Sequence, residues 1–445
     1  MRKEQPFKYY IKTFGCQMNV SDSERIASVL EKNGLKEALN ISEANLVVFN
    51  TCGVRQMAED RVCGQIHNLK KNNKKVKIIL TGCLANRKDV QRRLEKKVDL
   101  FTEIKDFSVS IKCLFDKDDT SQYQRDYLKI IPKHKNAFQA YIPIMTGCNN
   151  FCSYCVVPYA RGREVSRPAE EIIKEVKSLI KKGYKEIILL GQNVNSYKNG
   201  RINFSQLLKK INALPGHFWI SFISNHPKDV TEEMIEIVTK LPKVCECFHL
   251  PIQAGNNEII RKMNRKYTAG QYLNLIKKIK SAYKKFKLQK LFSITSDIIV
   301  GFPGETKKQF LDSAEVMKKV KYDMVYFGQY SPRPGTAAWK LKDDVSKKEK
   351  VRREKYLNEI LKKAAFENNK KYVGKNFEVL VEEQKNPRAK LSDSESLALG
   401  EIIYFGKTRT MKNVKFSASK KNLVGKFVKV KITKANIWNL EGILI

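Results

Sequence analysis

Ten cysteines stand in this chain, at positions 16, 52, 63, 83, 113, 148, 152, 155, 245 and 247. Three of them, Cys148, Cys152 and Cys155, fall within the run Thr146-Gly147-Cys148-Asn149-Asn150-Phe151-Cys152-Ser153-Tyr154-Cys155. Thiolates are soft ligands that select iron-sulfur or zinc chemistry. The C-x3-C-x2-C spacing is not the paired arrangement of a zinc ribbon, and it lets one loop grip three corners of a cluster while the fourth iron stays open to a small molecule. Zinc, the plainer use of clustered thiols, normally takes a fourth residue.

A second triad is spread along the chain. Three short apolar runs rich in β-branched and aromatic residues, 9–15 (YYIKTFG), 45–51 (NLVVFNT) and 77–82 (KIILTG), read as buried strands, and each is followed at once by a cysteine: Cys16, Cys52 and Cys83. Between them lie helical patterns: 21–33, with Ile26, Val29 and Leu30 on one stripe, a cap at Ser21 or Asp22 and Gly34 at its close, and 57–71, with Val62, Ile66 and Leu69. This is a βαβαβ order. Right-handed crossovers run such strands parallel and bring their carboxyl ends, and so the three thiols, to one sheet edge. Three thiolates there suit a 4Fe-4S cluster whose open iron could hold an exogenous sulfur atom. Cys63 inside a helix, Cys113 among apolar residues, and Cys245 and Cys247 alternating on a strand read as core fillers, the usual fate of a free thiol.

The first triad belongs to a different pattern. Strand-like runs at 137–145, 186–191, 219–223, 247–252, 294–300 and 324–330 alternate with helical segments, making six βα units. Six are too few to close an eight-stranded barrel, so a partial, open barrel is expected, with its site at the carboxyl ends of the strands. The sequences there are polar or glycine-rich: Gly191-Gln192-Asn193, Ser224-Asn225-His226-Pro227, Pro251-Ile252-Gln253 and Gly301-Phe302-Pro303-Gly304-Glu305. They can line a pocket, although Gly301 to Glu305 also reads as a plain turn and His226 and His249 as satisfied structural histidines.

A charged helical stretch at 346–371 leads out of the barrel, with Leu357, Ile360, Leu361 and Ala364 turned back toward it. Five short strands follow, at 377–381, 399–405, 413–417, 426–432 and around Gly442, the pattern of an OB-like barrel. Residues 401–445 carry ten cations (Lys407, Arg409, Lys412, Lys415, Lys420, Lys421, Lys426, Lys429, Lys431 and Lys434) against Glu401 and Glu441. That is a candidate phosphate-binding surface, with Lys407-Thr408-Arg409-Thr410 as a loop for backbone contact; an ordinary solvated face in a lysine-rich protein is the alternative.

The whole composition agrees with this division. At roughly 100 to 200 residues per domain, 445 residues make two to four domains. The expected limits are 1–125, 134–372 and 373–445, with the polar stretch 116–136 as the first boundary. With 42% hydrophobic residues the chain can bury real cores and is no disordered polymer. The 85 Lys and Arg against 46 Asp and Glu leave +39, a field that draws polyanions, so nucleic acid leads the partners. A lysine-rich composition accounts for part of the excess, and charge alone does not name the partner. No run approaches the roughly 18 to 20 apolar residues of a bilayer span and no signal-like segment opens the chain, so the expectation is a cytoplasmic protein with reduced thiols and no membrane contact.

On these residues the chain resembles the radical S-adenosylmethionine methylthiotransferases from end to end. The resemblance is carried by Thr13-Phe14-Gly15-Cys16-Gln17-Met18-Asn19, Asn50-Thr51-Cys52-Gly53-Val54-Arg55 and Thr81-Gly82-Cys83, by the radical core run 147–168 (GCNNFCSYCVVPYARGREVSRP), and by a terminal TRAM domain. His249-Leu250-Pro251-Ile252-Gln253, residues 297–305 and Ser331-Pro332-Arg333-Pro334-Gly335-Thr336 are also similar, while the lysine-rich stretch 283–290 looks longer than the family pattern. Cys16-Gln17-Met18-Asn19 and the stretch from Asn50 to Arg55 are similar to the branch that places a 2-methylthio group on N6-isopentenyladenosine beside the anticodon.

The resemblance implies an α/β architecture: an amino-terminal βαβ, flavodoxin-like sheet domain, a central partial (βα)6 TIM-like barrel and a carboxyl-terminal OB-like β-barrel. It implies two 4Fe-4S clusters and S-adenosylmethionine as cofactors. Cys148, Cys152 and Cys155 would hold the radical-generating, catalytic cluster, and Cys16, Cys52 and Cys83 the auxiliary cluster that carries sulfur. Tyr154, Gln192, Asn193 and residues near Gly301 are candidate S-adenosylmethionine contacts. The implied partners are the anticodon stem-loop of tRNA, an electron-donor protein and a sulfur source, with the enzyme a monomer. Two other functions fit parts of the sequence: a methylthiotransferase for N6-threonylcarbamoyladenosine, and a non-catalytic zinc-stabilised RNA-binding protein.

Overall fold

The structure is a computed structural model that describes residues 7–53, 56–115, 127–285, 290–385, 402–419 and 421–445. Val54, Arg55, Lys420, Glu401 and most of the 116–136 boundary lie outside the described residues, as do the side chain of Cys113 and the middle of the 283–290 stretch.

The amino-terminal part is a five-stranded parallel sheet. Its central strands, Lys8–Thr13, Leu46–Thr51 and Lys77–Gly82, pair in register, Thr13 against Asn50 and Thr51 against Gly82. Leu46–Thr51 is buried along its whole length, since helices cover both faces. The first helix is Gln17–Lys32, beginning four residues before the expected start at 21. The reason is local: Cys16 itself takes the N-cap position, and the Asn19 side chain accepts from the Cys16 N–H at 3.3 Å, so the cysteine and the helix start are one feature.

The central part has six parallel strands in chain order. Gln139–Pro143, Glu186–Leu190 and Trp219–Phe222 form one sheet, and Cys247–His249, Ser293–Val300 and Met324–Gln329 a second. The bridge between Ile220 and Val244 links the two sheets into one open (βα)6 barrel. Along Ser293–Val300 burial alternates: Ile294, Ile298 and Val300 join the main core beneath the helices, while Thr295, Asp297 and Ile299 face the half-open interior. Helix Lys347–Lys370 packs back on helix Lys307–Val320 and strand Met324–Gln329 through Leu357, Leu361 and Ala365.

The carboxyl-terminal part is a closed five-stranded barrel in the order Asn376–Lys385, Ile402–Thr408, Asn413–Ala418, Leu440–Leu444, Phe427–Ala435, with one parallel pair. It caps the amino ends of the central strands. Lys407 pairs with Glu186 (2.8 Å) and Glu382 (2.9 Å), Arg409 with Glu246 (2.8 Å) and Lys412 with Asp323 (2.7 Å). Leu380 packs there against Trp219 and Cys245. The expectation that 407–410 is a free loop for RNA backbone is therefore corrected: Lys407 lies in a strand, and both cations are taken by carboxylates of the central barrel. Lys421, Lys426, Lys429, Lys431 and Lys434 remain exposed.

Candidate active site

The triad Cys16, Cys52 and Cys83 is assembled by three adjacent strand ends. Cys83 donates its N–H to Thr51 O (2.9 Å), and Thr51 Oγ1 donates to Thr81 O (2.6 Å), which locks the second and third cysteine turns together. Asn19 reaches across from the first: its Nδ2 donates to Asn50 Oδ1 and to Thr51 O, both at 3.1 Å, and Asn50 returns a bond to Asn19 O at 2.8 Å. Gly82 has φ +83° and its missing side chain leaves room for Thr51 O, so the turn into Cys83 requires glycine. Cys16 is exposed, whereas Cys52 and Cys83 are buried.

The triad Cys148, Cys152 and Cys155 sits on a loop that follows the Gln139–Pro143 strand. Gly147, at φ +79°, opens it: a Cβ there would run into the carbonyl oxygen of Arg163. Cys148 donates its N–H to Gly162 O (3.2 Å) and Cys155 to Cys152 O (3.0 Å). The chain 262–265 braces the loop from behind, since Ser153 Oγ donates to Lys262 O (2.8 Å), the Ser153 N–H to Met263 O (3.0 Å) and Asn264 Nδ2 to Phe151 O (2.8 Å). Burial pushes the Cys155 thiol up to about 12 and raises Cys148, and negative charge on Cys152 adds to both shifts. Such thiols give up their protons to a bound metal rather than to solvent.

Arg265 is buried beside this loop. Its Nη1 donates to Cys152 Sγ (3.5 Å), Nη2 to Pro251 O (2.7 Å) and Nε to the Tyr267 hydroxyl (2.9 Å), so its position is fixed on three sides. Sequence reading did not single out Arg265, because nothing local to residue 265 signals that it returns to a loop more than a hundred residues away.

The two triads are brought together. A Cβ on Gly53, next to Cys52, would lie 3.3 Å from Cys83 Cβ and 3.3 Å from Val156 Cγ2, next to Cys155. Arg161, just beyond Cys155, pairs with fully buried Asp22 of the first helix (2.6 Å), and Arg333 from the last barrel loop approaches Glu59 at 3.7 Å. Met18, two residues after Cys16, packs with Ile188 and Leu190 on the interior face of the barrel. Among the described residues, no three His, Cys, Asp or Glu side chains surround a single-ion position.

The other sequence-selected residues ring the carboxyl ends of the strands. Asn193 donates to Asp229 Oδ2 (2.7 Å), leaving its buried Oδ1 without a partner; Gln192 Oε1 and Asn225 Oδ1 are buried and unpartnered in the same way. Three orphaned amide oxygens in one place fit a ligand rich in N–H donors, as the amino and adenine groups of S-adenosylmethionine are. Tyr154 is half-buried against the barrel core. Gly301, at φ +70°, has its N–H taken by Glu305 Oε2 (2.7 Å), with Lys350 lying against it. Both histidines are engaged: His226 Nδ1 accepts from the Lys228 N–H (3.3 Å), and burial, then the charges of Arg265 and Lys228, lower its pKa to about 2. His249 bonds Thr295 Oγ1 (2.9 Å) and faces Asp297 (3.4 Å).

Three family models match the chain: the Radical SAM superfamily over residues 142–317, Uncharacterized protein family UPF0004 over 8–103 and the TRAM domain over 370–445. The radical S-adenosylmethionine methyltransferase TsrM of Kitasatospora setae has a similar fold, with TM-score 0.54 over 75% of each chain at 12% identity. Among curated proteins, a tRNA-2-methylthio-N(6)-dimethylallyladenosine synthase of Clostridium botulinum is 40% identical over 98% of this chain and 96% of its own. A synthase of the same name from Dictyoglomus thermophilum is 41% identical over 98% of both. Likeness of that degree along the full length places the chain in one family: it belongs to the tRNA-2-methylthio-N(6)-dimethylallyladenosine synthases of the radical SAM superfamily.

Proposed function

We propose that this chain adds a methylthio group to C2 of N6-isopentenyladenosine next to the anticodon of tRNA. In this reading Cys148, Cys152 and Cys155 hold the radical-generating 4Fe-4S cluster, and Cys16, Cys52 and Cys83 a second one that carries sulfur. When bound, S-adenosylmethionine and the clusters supply a methyl group, a 5'-deoxyadenosyl radical able to take hydrogen from an unactivated aromatic carbon, and the sulfur.

The observation that carries the reading is the meeting of the two cysteine loops across Gly53 and Val156, because a group can pass between two centres only where they lie close together. The chain's own part is positional. Arg265 holds a positive charge against Cys152, and Asn193, Gln192 and Asn225 offer acceptors to S-adenosylmethionine, with Tyr154 and the Gly301 turn completing its surroundings. The Arg161–Asp22 pair fixes the amino-terminal sheet over the barrel mouth. The target base must leave the anticodon-loop stack to enter, as for other enzymes that act on a base, and RNA loops present splayed bases. The exposed lysines of the terminal barrel supply phosphate contact at the other end of the molecule.

The same reading takes the cytoplasm as the compartment, a monomer as the working unit, and an electron-donor protein and a sulfur source as further partners. Among the described residues no helix is long and apolar enough to cross a membrane. Nucleoside analysis of tRNA from cells lacking the protein tests the substrate. Isopentenyladenosine should accumulate without its methylthio derivative; loss of the methylthio form of threonylcarbamoyladenosine instead would overturn the reading.

A further inference from the structure

A cleft of about 600 Å3 opens on the flank of the central barrel, lined by Asn257, Arg261, Arg265, Lys266, Thr268 and Gln271 among others. It lies between the helices Asn257–Lys262 and Ala269–Lys285. The segment 256–271 carries Arg261, Lys262, Arg265 and Lys266 against a single carboxylate, Glu258, and Glu258 is engaged by Lys262 at 3.1 Å. Arg261 and Lys266 are exposed and have no carboxylate partner among the described residues. The rim is therefore a patch of uncompensated positive charge.

The floor of this cleft is the radical triad's own support. Arg265 lines the cleft and donates to Cys152 Sγ at 3.5 Å, the carbonyls of Lys262 and Met263 accept from Ser153, and the Asn264 side chain donates to Phe151 O. One thickness of chain separates the basic surface from the cysteine loop. The opposite flank of that loop, Cys155 and Val156, faces Gly53 and Cys83, where base and sulfur must meet. The Cys152 flank is thus the side on which a partner can approach the radical centre without obstructing the RNA.

We propose that this cleft is the docking surface for a small acidic one-electron carrier, which reduces the radical cluster from its Cys152 side. The inference rests on the function proposed above and adds the place where its electron enters. In the step itself the carrier is oxidised by one electron and the cluster reduced by one; no bond forms or breaks and no proton is transferred. A small charged cleft suits such an encounter, since electron-transfer complexes bury little area and depend on complementary charge for their association rate.

The test uses the reconstituted protein and a reduced acidic [2Fe-2S] ferredoxin, with dithionite as a donor too small to need docking. In the double variant Arg261→Glu, Lys266→Glu, binding of labelled ferredoxin followed by fluorescence anisotropy should weaken about tenfold or more. The rate of 5'-deoxyadenosine formation with ferredoxin should fall by a similar factor, while the dithionite-driven rate and tRNA affinity stay unchanged. Unaltered ferredoxin binding and rate overturn the proposal. So does a loss of tRNA affinity in place of ferredoxin affinity, which would assign the patch to RNA, and so does an equal fall with both donors in this variant and in the neutral Arg261→Gln, Lys266→Gln form. Wild-type protein that cleaves S-adenosylmethionine but leaves isopentenyladenosine unmodified would remove the substrate reading and leave the docking result standing.

Discussion

At Cys152 the sulfur accepts a hydrogen bond from a guanidinium that is itself anchored to Pro251 and Tyr267. With Cys152 a ligand of the radical cluster, as proposed, a fixed positive charge beside it favours the reduced, more negative state. Arg265→Gln should lower the midpoint potential of the radical cluster measured by redox titration with EPR, at unchanged iron content; an unchanged potential would show that the charge is not felt. Gly147 is bound to its place by φ and by the Arg163 carbonyl, so Gly147→Ala should cost at least about 1–3 kcal/mol and reduce cluster occupancy. His226 is held neutral, with its folded pKa far below the ordinary 6.5, so it contributes stability that is present above pH 6.5 and lost as pH falls. In the metal-free protein this amounts to about 2 kcal/mol by pH 5, and denaturant titration of His226→Asn should show that acid-dependent loss removed. At this scale the cysteines were legible because C-x3-C-x2-C and three strand-end thiols are patterns in one dimension. Arg265, Arg161 and Arg333 were not, because each acts on a residue far along the chain.

Among the elements, periodicity served well where burial decides. The runs at 186–191, 219–223 and 294–300 appear as Glu186–Leu190, Trp219–Phe222 and Ser293–Val300. The first helix starts earlier than its apolar stripe indicates because Cys16 is not an ordinary N-cap; the signal is Asn19 three residues later, a side chain able to reach back to the cap. The terminal barrel shows the complementary limit, since a cation count does not distinguish an ion-pair interface from an RNA surface. Lys407→Ala leaves buried Glu186 with Gln139 and Ser221 as its side-chain partners among the described residues, and should cost about 3 kcal/mol in denaturant unfolding without changing the salt dependence of tRNA binding. Exposed Lys429→Ala, Lys431→Ala should do the reverse, weakening tRNA binding and flattening its salt slope while stability moves by less than about 0.5 kcal/mol.

For the whole molecule, the three parts take separate duties along one axis. The terminal barrel closes the amino ends of the central strands, and the amino-terminal sheet stands over their carboxyl ends, placing one cysteine loop against the other. Composition gave the polyanion partner and the strand count gave the open barrel, but the facing of the two thiol groups arises only from domain packing, through Asp22, Met18 and Gly53. The account stands on each triad holding its own iron-sulfur cluster. Iron and acid-labile sulfide should therefore be counted after anaerobic reconstitution of wild-type protein beside the triple variant Cys16→Ala, Cys52→Ala, Cys83→Ala. About eight irons and eight sulfides per wild-type chain, falling to about four of each in a variant that still cleaves S-adenosylmethionine, is the expected result. One or two zinc ions and no sulfide, or equal iron in both proteins, would contradict it.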